Sequence, residues 1–430
     1  MMLASSDPLF GGSIDLTVVL IVIVKTLIVF AVLLVSVMFY VWFMRKVIAD
    51  MQNRVGPDRA GPFGVFQTFA DGVKLFFKEQ SIPDSADKPV FRLAPYLAIM
   101  PAFLAFSIIP IGGLVSVAGH KTYLQLAELP VGVLWLLAMS GIGVYGVMLA
   151  GWASGSKYPL LGSVRASAQL LSYEATFGLA IIGVLVWSGT LSTRGIVLQQ
   201  AGVGPGHVGA LWSGWGSIGN WFVWSALVAF VLFLIAAVAE TNHPPFDLVE
   251  AEQELVGGFH TEYTGIRFAI FFLAEFMNVI TMSAIAVTLF LGGPSGPAIP
   301  GLAAQGVVNA WIMPVVYFTA KLLVLLFCTV WLRAALPRLR YDRLMNFGWK
   351  YLIEIAFLWV MVSAVIRFSQ EANWDFVGGS TAFTSIVVAA MAAAGAGLVY
   401  LILWVCMPSA DVGDFDPVGV ARDLAPRGEQ

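Results

Sequence analysis

The chain has 430 residues, 59% of them hydrophobic and only 11% charged, with a formal net charge of −3. Soluble domains carry about a quarter charged residues, so this composition assigns the chain to a bilayer, and the small net charge without a strongly basic run argues against a nucleic-acid partner. The two cysteines, Cys328 and Cys406, both lie in apolar runs. An iron–sulfur cluster needs about four thiolates. No metal-ligand spacing is present, so packing is the expected role of both thiols, no metal site is expected, and any redox centre belongs to a partner.

A hydrocarbon core is crossed by about 20 apolar residues. Runs of this kind lie at about 16–44, 94–117, 130–153, 169–188, 219–240, 267–291, 308–332, 349–368 and 382–406. They predict an all-α polytopic membrane protein with about nine transmembrane helices. Residues 1–15 lack the basic start and small-residue cleavage site of a signal peptide, so the first run is expected to remain as an anchor. Basic residues favour cytoplasmic loops. Arg45, Lys46, Arg54, Arg59, Lys74, Lys78, Lys88 and Arg92 follow the first run, and Arg333, Arg338, Arg340, Arg343 and Lys350 follow the seventh. The opposite loops hold only Lys121 and Arg194. The N-terminus is therefore expected outside, with the acidic tail Asp411–Gln430 in the cytoplasm.

Directly after the first run, RVGPDRAGPFGVFQTFADGVKLFFKE (54–79) carries Gly-Pro turns and then apolar residues at 63, 66, 69, 70, 73, 76 and 77. Gln67, Asp71, Lys74 and Lys78 occupy the other face. The spacing predicts an amphipathic helix over 63–78, roughly 24 Å long at 1.5 Å per residue, lying in the membrane interface. It either rests at the headgroups or lines a polar–apolar chamber. In the fourth run, Glu174 stands among apolar neighbours. The loop 200–219 contains GPGHVG, but no strand precedes it and a Pro interrupts it, so no nucleotide site is expected there.

The fifth run ends in AETNHPPFDLVEAEQELVGGF (239–259). Glu240, Asp247, Glu250, Glu252, Glu254 and Glu262 lie within a stretch free of Lys and Arg. Pro244 and Pro245 end the helix, and Asp247, Glu250 and Glu254 at i, i+3 and i+7 share one side of the next helical turn. Such a run is either a solvated acidic loop or a polar path. Glu275 in the sixth run favours the path, because an ionisable group inside a membrane helix usually lines one. Lys25 and Lys321 are also intramembrane, with a structural ion pair and a transport role both open.

Four stretches together resemble a known family. They are RVGPDRAGPFGVFQTFADGVKLFFKE, GWASGSKYPLLGSVRASAQLLSYE (151–174), AETNHPPFDLVEAEQELVGGFHTEYTG (239–265) and LPRLRYDRLMNFGWK (336–350). In this order they look like the H subunit of proton-translocating NADH:quinone oxidoreductase, respiratory complex I, a family with an eight-helix core. The resemblance implies a membrane domain over 1–371, comprising eight helices, the amphipathic helix 63–78 and the acidic loop 241–266. A C-terminal extension, 372–430, holds the ninth helix and the cytoplasmic tail. It implies a subunit that is inactive alone and carries no redox centre. Such a subunit builds part of a quinone chamber and couples quinone reduction to proton translocation in the bacterial cytoplasmic (inner) membrane. Ubiquinone or menaquinone is then the substrate, iron–sulfur clusters and flavin belong to partner subunits, and the partners include peripheral-arm iron–sulfur and quinone-site subunits as well as small and antiporter-like membrane subunits.

Carried over by residue, Arg45, Arg54, Phe63, Phe66, Gln67, Asp71, Lys74, Arg338 and Arg340 belong to the chamber or its rim. Glu174, Glu240, Asp247, Glu250, Glu252, Glu254 and Glu275 form an acidic path. The chain departs from the family pattern at Met44 (usually Glu), Thr68 (usually Pro), His243 (usually Arg) and Glu354 (often Pro). Two rival readings share the composition: the homologous membrane subunit of a membrane-bound hydrogenase-type complex, and a stand-alone ion transporter. The absence of an inverted sequence repeat weighs against the transporter.

Overall fold

The computed structural model describes residues 7–10, 14–202, 218–249, 252–297, 311–371, 397 and 400. Most of the ninth apolar run, the tail, Cys406 and most of the 200–219 loop lie outside the described residues. Helix α1 (Leu16–Met51) is apolar almost throughout, and the left-handed Asn53 (φ 52°) follows its end. The interfacial helix α2 spans Gln67–Phe77, later than the expected 63–78. Phe63 and Gly64 adopt φ of 54° and 74°, which turns the chain before the helix begins. A Cβ at Gly64 would stand 2.4 Å from the Pro57 carbonyl oxygen, so only glycine fits that turn.

Helix α3 (Lys88–Phe106) ends well before the end of the expected run 94–117. Residues Leu114–Val117 (β1) and His120–Tyr123 (β2) instead form an antiparallel hairpin. Pro110, Gly112 and Gly113 break the helix, and Ala118 and Gly119, both at positive φ, close the two-residue turn. Helices α4 (Gly132–Ala153) and α5 (Lys157–Ser188) follow, the latter stopped by Gly189 in the left-handed region. The short α6 (Thr193–Gln200) begins with the Ser192 side chain accepting from the Gly195 N–H. Helix α7 (Phe222–Ser225) breaks at Ala226 and continues as α8 (Leu227–Glu240). The turn α9 (Glu252–Leu255) precedes α10 (Gly265–Phe290), α11 (Met313–Ala335) and α12 (Tyr341–Phe347). One π turn, Gly348–Leu352, joins α12 to α13 (Ile353–Glu371).

Seven of the described segments are long and apolar enough to cross a membrane, with the shorter α8 as an eighth. The chain is thus all-α and polytopic apart from the hairpin. Helix α10 is the axis of the core, buried at every residue from Val279 to Phe290. Aromatic rings fill its surroundings, with Phe233 edge-on to Phe290 and Tyr40 tilted against Phe276. Helix α1 turns Leu20, Leu27 and Ile28 outward, as a helix apolar on every side does when it meets lipid.

Polar side chains tie these helices from within, because nothing else can satisfy them at membrane depth. Lys25 Nζ reaches Asp7 Oδ2 at 3.3 Å and Thr122 Oγ1 at 3.0 Å, fastening α1 to the hairpin. Lys321 Nζ donates to the carbonyls of Leu291 (2.6 Å), Gly293 (2.9 Å) and Ser295 (2.5 Å). Both intramembrane lysines therefore sit in structural contacts. Fully buried Gln169 of α5 donates to the carbonyls of Ala239 and Phe246, each at 2.8 Å, and so fixes the end of α8 and the loop after it. Gln169→Leu removes one hydrogen bond from each of these carbonyls, which still accept from the Asn242 and Leu248 N–H groups, at about 0.5–1.5 kcal/mol for each bond lost. Thermal unfolding in detergent should show a clear loss of stability, well beyond that of Ser167→Ala, whose hydroxyl bonds only to its own helix at Ser163 O.

Candidate functional site

Two clusters gather six of the polar residues singled out in the sequence. The first lies where α2 meets α1. Arg45 Nη1 stands 2.7 Å from Asp71 Oδ2, and Gln67 Nε2 donates to Asp71 Oδ1 at 3.0 Å. Gln67 and Asp71 are neighbours because they are one helical turn apart. The Arg45 and Asp71 side chains are each 39% exposed, so the pair contributes little stability and its geometry matters more than its energy. The apolar face beside it is open, with Phe63, Phe66 and Phe69 all more than half exposed. Arg54 stands apart and donates to Gln52 Oε1 at 2.6 Å, while Lys74 is exposed. Arg340 is exposed, and Arg338 keeps a buried Nη2 with no hydrogen-bond partner among the described residues. The Leu339 N–H donates to the Pro245 carbonyl at 3.0 Å, holding the segment after α11 against the loop after α8.

The second cluster is a cavity between α3, α4, α5 and α10. It leaves about 70 Å³ for water, within a wider space partly open to the outside. Its polar lining comprises Ser140, Glu240, Asn242, Glu275 and Asn278. Glu240, only 8% exposed, accepts a hydrogen bond from the Ser140 hydroxyl through Oε1, while its buried Oε2 has no partner among the described residues. Glu174 approaches from α5, its Oε1 lying 3.3 Å from where a Cβ on Gly141 would stand. Glu275 Oε1 lies 3.4 Å from His243 Nδ1, which also faces the Thr241 carbonyl at 2.8 Å. Among the described residues no Lys or Arg lines the cavity. The arrangement can take up and release protons and hold water, since carboxylate oxygens and amides face a space that admits it.

The rest of the acidic row is less uniform. Glu254 pairs with Arg165 of α5, Oε2 to Nη1 at 2.6 Å, outside the lipid-depth cavity. That partner comes from the segment after α4, while the acidic segment itself offers none. Asp247 is half-buried with a partner of its own. Glu250 and the Glu252 side chain lie outside the described residues. Ser140, Asn242 and Asn278 escaped the sequence reading, as isolated small polar residues in or beside apolar runs. Asn278 carried a readable signal, because it follows Glu275 by three residues and so shares its face. Among the described residues no group of His, Cys, Asp or Glu could hold a metal ion.

A family model described as NADH dehydrogenase matches residues 24–364. The chain belongs to this family. Among curated relatives, a protein of Frankia alni named as the H subunit of NADH-quinone oxidoreductase is 53% identical over 351 residues, covering 81% of the chain and 73% of that protein. One of Frankia casuarinae with the same name is 52% identical over 350 residues, with the same coverage of both chains. The family match takes in both clusters and stops before the segment from 372.

Burial of the loop after α8 has a consequence for pH. Desolvation, with the Arg333 charge adding to it, lowers the His243 pKa to about 3, and desolvation lowers that of His260 to about 4. Each is neutral in the fold, whereas an unfolded chain protonates them below about 6.5. Their contribution to stability is complete above pH ~6.5 and declines as pH falls towards the folded values, by about 1.4 kcal/mol per unit for each group. The unfolding midpoint of the detergent-solubilised chain should fall with acidification through this window. In His243→Asn, which keeps a donor near the Thr241 carbonyl, the slope should be shallower.

Proposed function

We propose that this chain is the H-type membrane subunit of an NADH:quinone oxidoreductase, inactive alone, and that its two polar clusters serve quinone reduction and its coupling to proton translocation. The first cluster, with the exposed phenylalanines of α2 beside it, forms one wall of a chamber for the quinone head and its apolar tail. Asp71 presents a carboxylate held by Arg45 and Gln67, and Arg338 keeps an unsatisfied donor on the same side of the membrane domain. Partner subunits cover the loops after α1, α8 and α11 and supply the iron–sulfur clusters and flavin. That side faces the cytoplasm, and the N-terminus faces outward.

The observation that carries the coupling half is the cavity whose described lining has two carboxylates, two amides and a hydroxyl, and no Lys or Arg. A carboxylate stranded at membrane depth is costly unless it can take up a proton or is paired. Glu240, whose buried Oε2 has no partner among the described residues, is thus suited to change protonation when charge appears on a nearby quinone, and Glu174 and Glu275 lie close enough to feel the same change. Among the outer acidic residues, Glu254 contributes its ion pair with Arg165 and belongs to the cover of the path more than to its interior.

Two variants of the assembled complex test the two halves. Asp71→Asn should lower quinone reduction by about tenfold, equivalent to roughly 1.4 kcal/mol in the barrier. NADH oxidation by a hydrophilic artificial acceptor should be unchanged, because that chemistry sits in another subunit. Glu240→Gln should assemble and keep the same acceptor activity, yet lose quinone-linked turnover and proton pumping. Normal quinone reduction in the first variant, or normal pumping in the second, would refute the corresponding half. Equal loss of both activities in either variant points to failed assembly.

A further inference from the structure

We infer that Ser140, with its neighbour Gly141, is a positioning device in α4 that sets the two carboxylates arriving from α8 and α5; the inference rests on the coupling role proposed for Glu240. The serines nearby spend their hydroxyls on their own helices. Ser154, Ser163, Ser167 and Ser172 each donate to a backbone carbonyl three or four residues back. Ser140 does otherwise and reaches across to Glu240 Oε1. With the hydroxyl donating to the carboxylate, Oε1 is engaged as an acceptor. The acidic proton is then carried by Oε2, the buried oxygen that the described residues leave without a partner at the cavity. Ser140 thereby decides which way Glu240 exchanges its proton: into the cavity shared with Asn242, Glu275 and Asn278.

Gly141 acts by what it lacks. A Cβ there would stand 3.3 Å from Glu174 Oε1, closer than such contacts usually run. Glycine lets that carboxyl reach α4 one residue from the Ser140 hydroxyl. Gly143, which also lines the cavity, has no atom within 4 Å of where its Cβ would be, so the same stretch of α4 leaves open space beside Glu240. Glycines at such positions weaken a helix relative to alanine, and the space they leave is occupied by a carboxyl group and cavity.

The test uses the assembled complex, with Ser140→Ala, Ser140→Thr, Glu240→Gln and the Ser140→Ala/Glu240→Gln double variant. Pumping coupled to quinone reduction is measured, and the artificial-acceptor activity controls for assembly. Positioning predicts a several-fold loss in Ser140→Ala, recovery in Ser140→Thr, and no further loss when Ser140→Ala is added to Glu240→Gln. Wild-type pumping in Ser140→Ala, or an equal loss in Ser140→Thr, overturns the inference. So does a further loss in the double variant, which would mean that Ser140 acts independently of Glu240. Wild-type pumping in Glu240→Gln removes the coupling role itself, and the inference with it. Loss in Glu240→Gln with none in Ser140→Ala removes the inference alone.

Discussion

A carboxyl group buried among apolar helices must find its partners inside the protein, and the placement of Glu240 is the constraint on which the architecture around it depends. Bulk water does not surround it, and leaving such a group wholly unpaired away from water costs several kcal/mol. The chain meets this with a small set of internal donors and a cavity. Ser140 takes one oxygen and the cavity takes the other. Gln169 holds the end of α8 by the Ala239 carbonyl and the loop after it by the Phe246 carbonyl, which fixes the residue at that helix end. The interlocked aromatics around α10 and the ties from Tyr173 to the Leu344 carbonyl and from Trp349 to Ser172 then keep α5, α8 and α12 in register around it.

The same constraint separates structural charges from those suited to chemistry. Lys25 pairs with Asp7 and Arg194 with Glu128 at 3.0 Å, so these charges are neutralised where they stand, while three backbone carbonyls take up the Lys321 donors. Glu254 is neutralised by Arg165. Glu240 meets no Lys or Arg in the described lining of the cavity, and its balance is left to protons. At the opposite extreme, Asp71 is fully paired but half-exposed, in a position to meet a molecule entering beside α2.

Much of this was legible because membrane helices obey a single strong rule. The apolar runs from 16 to 368 correspond to the observed spans, and uncompensated carboxylates in apolar helices mark the polar interior. Hydropathy alone failed at 107–117. That stretch is as apolar as a helix, yet its Pro and Gly residues, followed by the Val115-Ser116-Val117 alternation, build a hairpin. The onset of α2 was misplaced because the apolar spacing at 63 and 66 continues the helical pattern through a turn that only backbone angles reveal. Ser140 was invisible for a different reason. A lone serine in an apolar run usually bonds to its own helix, and only the arrival of α8 makes it a partner for a carboxylate. Arg165 as the partner of Glu254 likewise depends on packing between distant segments.

The central claim is that Glu240 changes protonation when quinone is reduced. The most direct measurement is the redox-difference infrared spectrum of the assembled complex, read in the carboxyl C=O stretching region as quinone is reduced. The account predicts a carboxyl band in the native complex that is lost in Glu240→Gln while the complex remains assembled and competent in electron input. Identical carboxyl bands in the two complexes would contradict it.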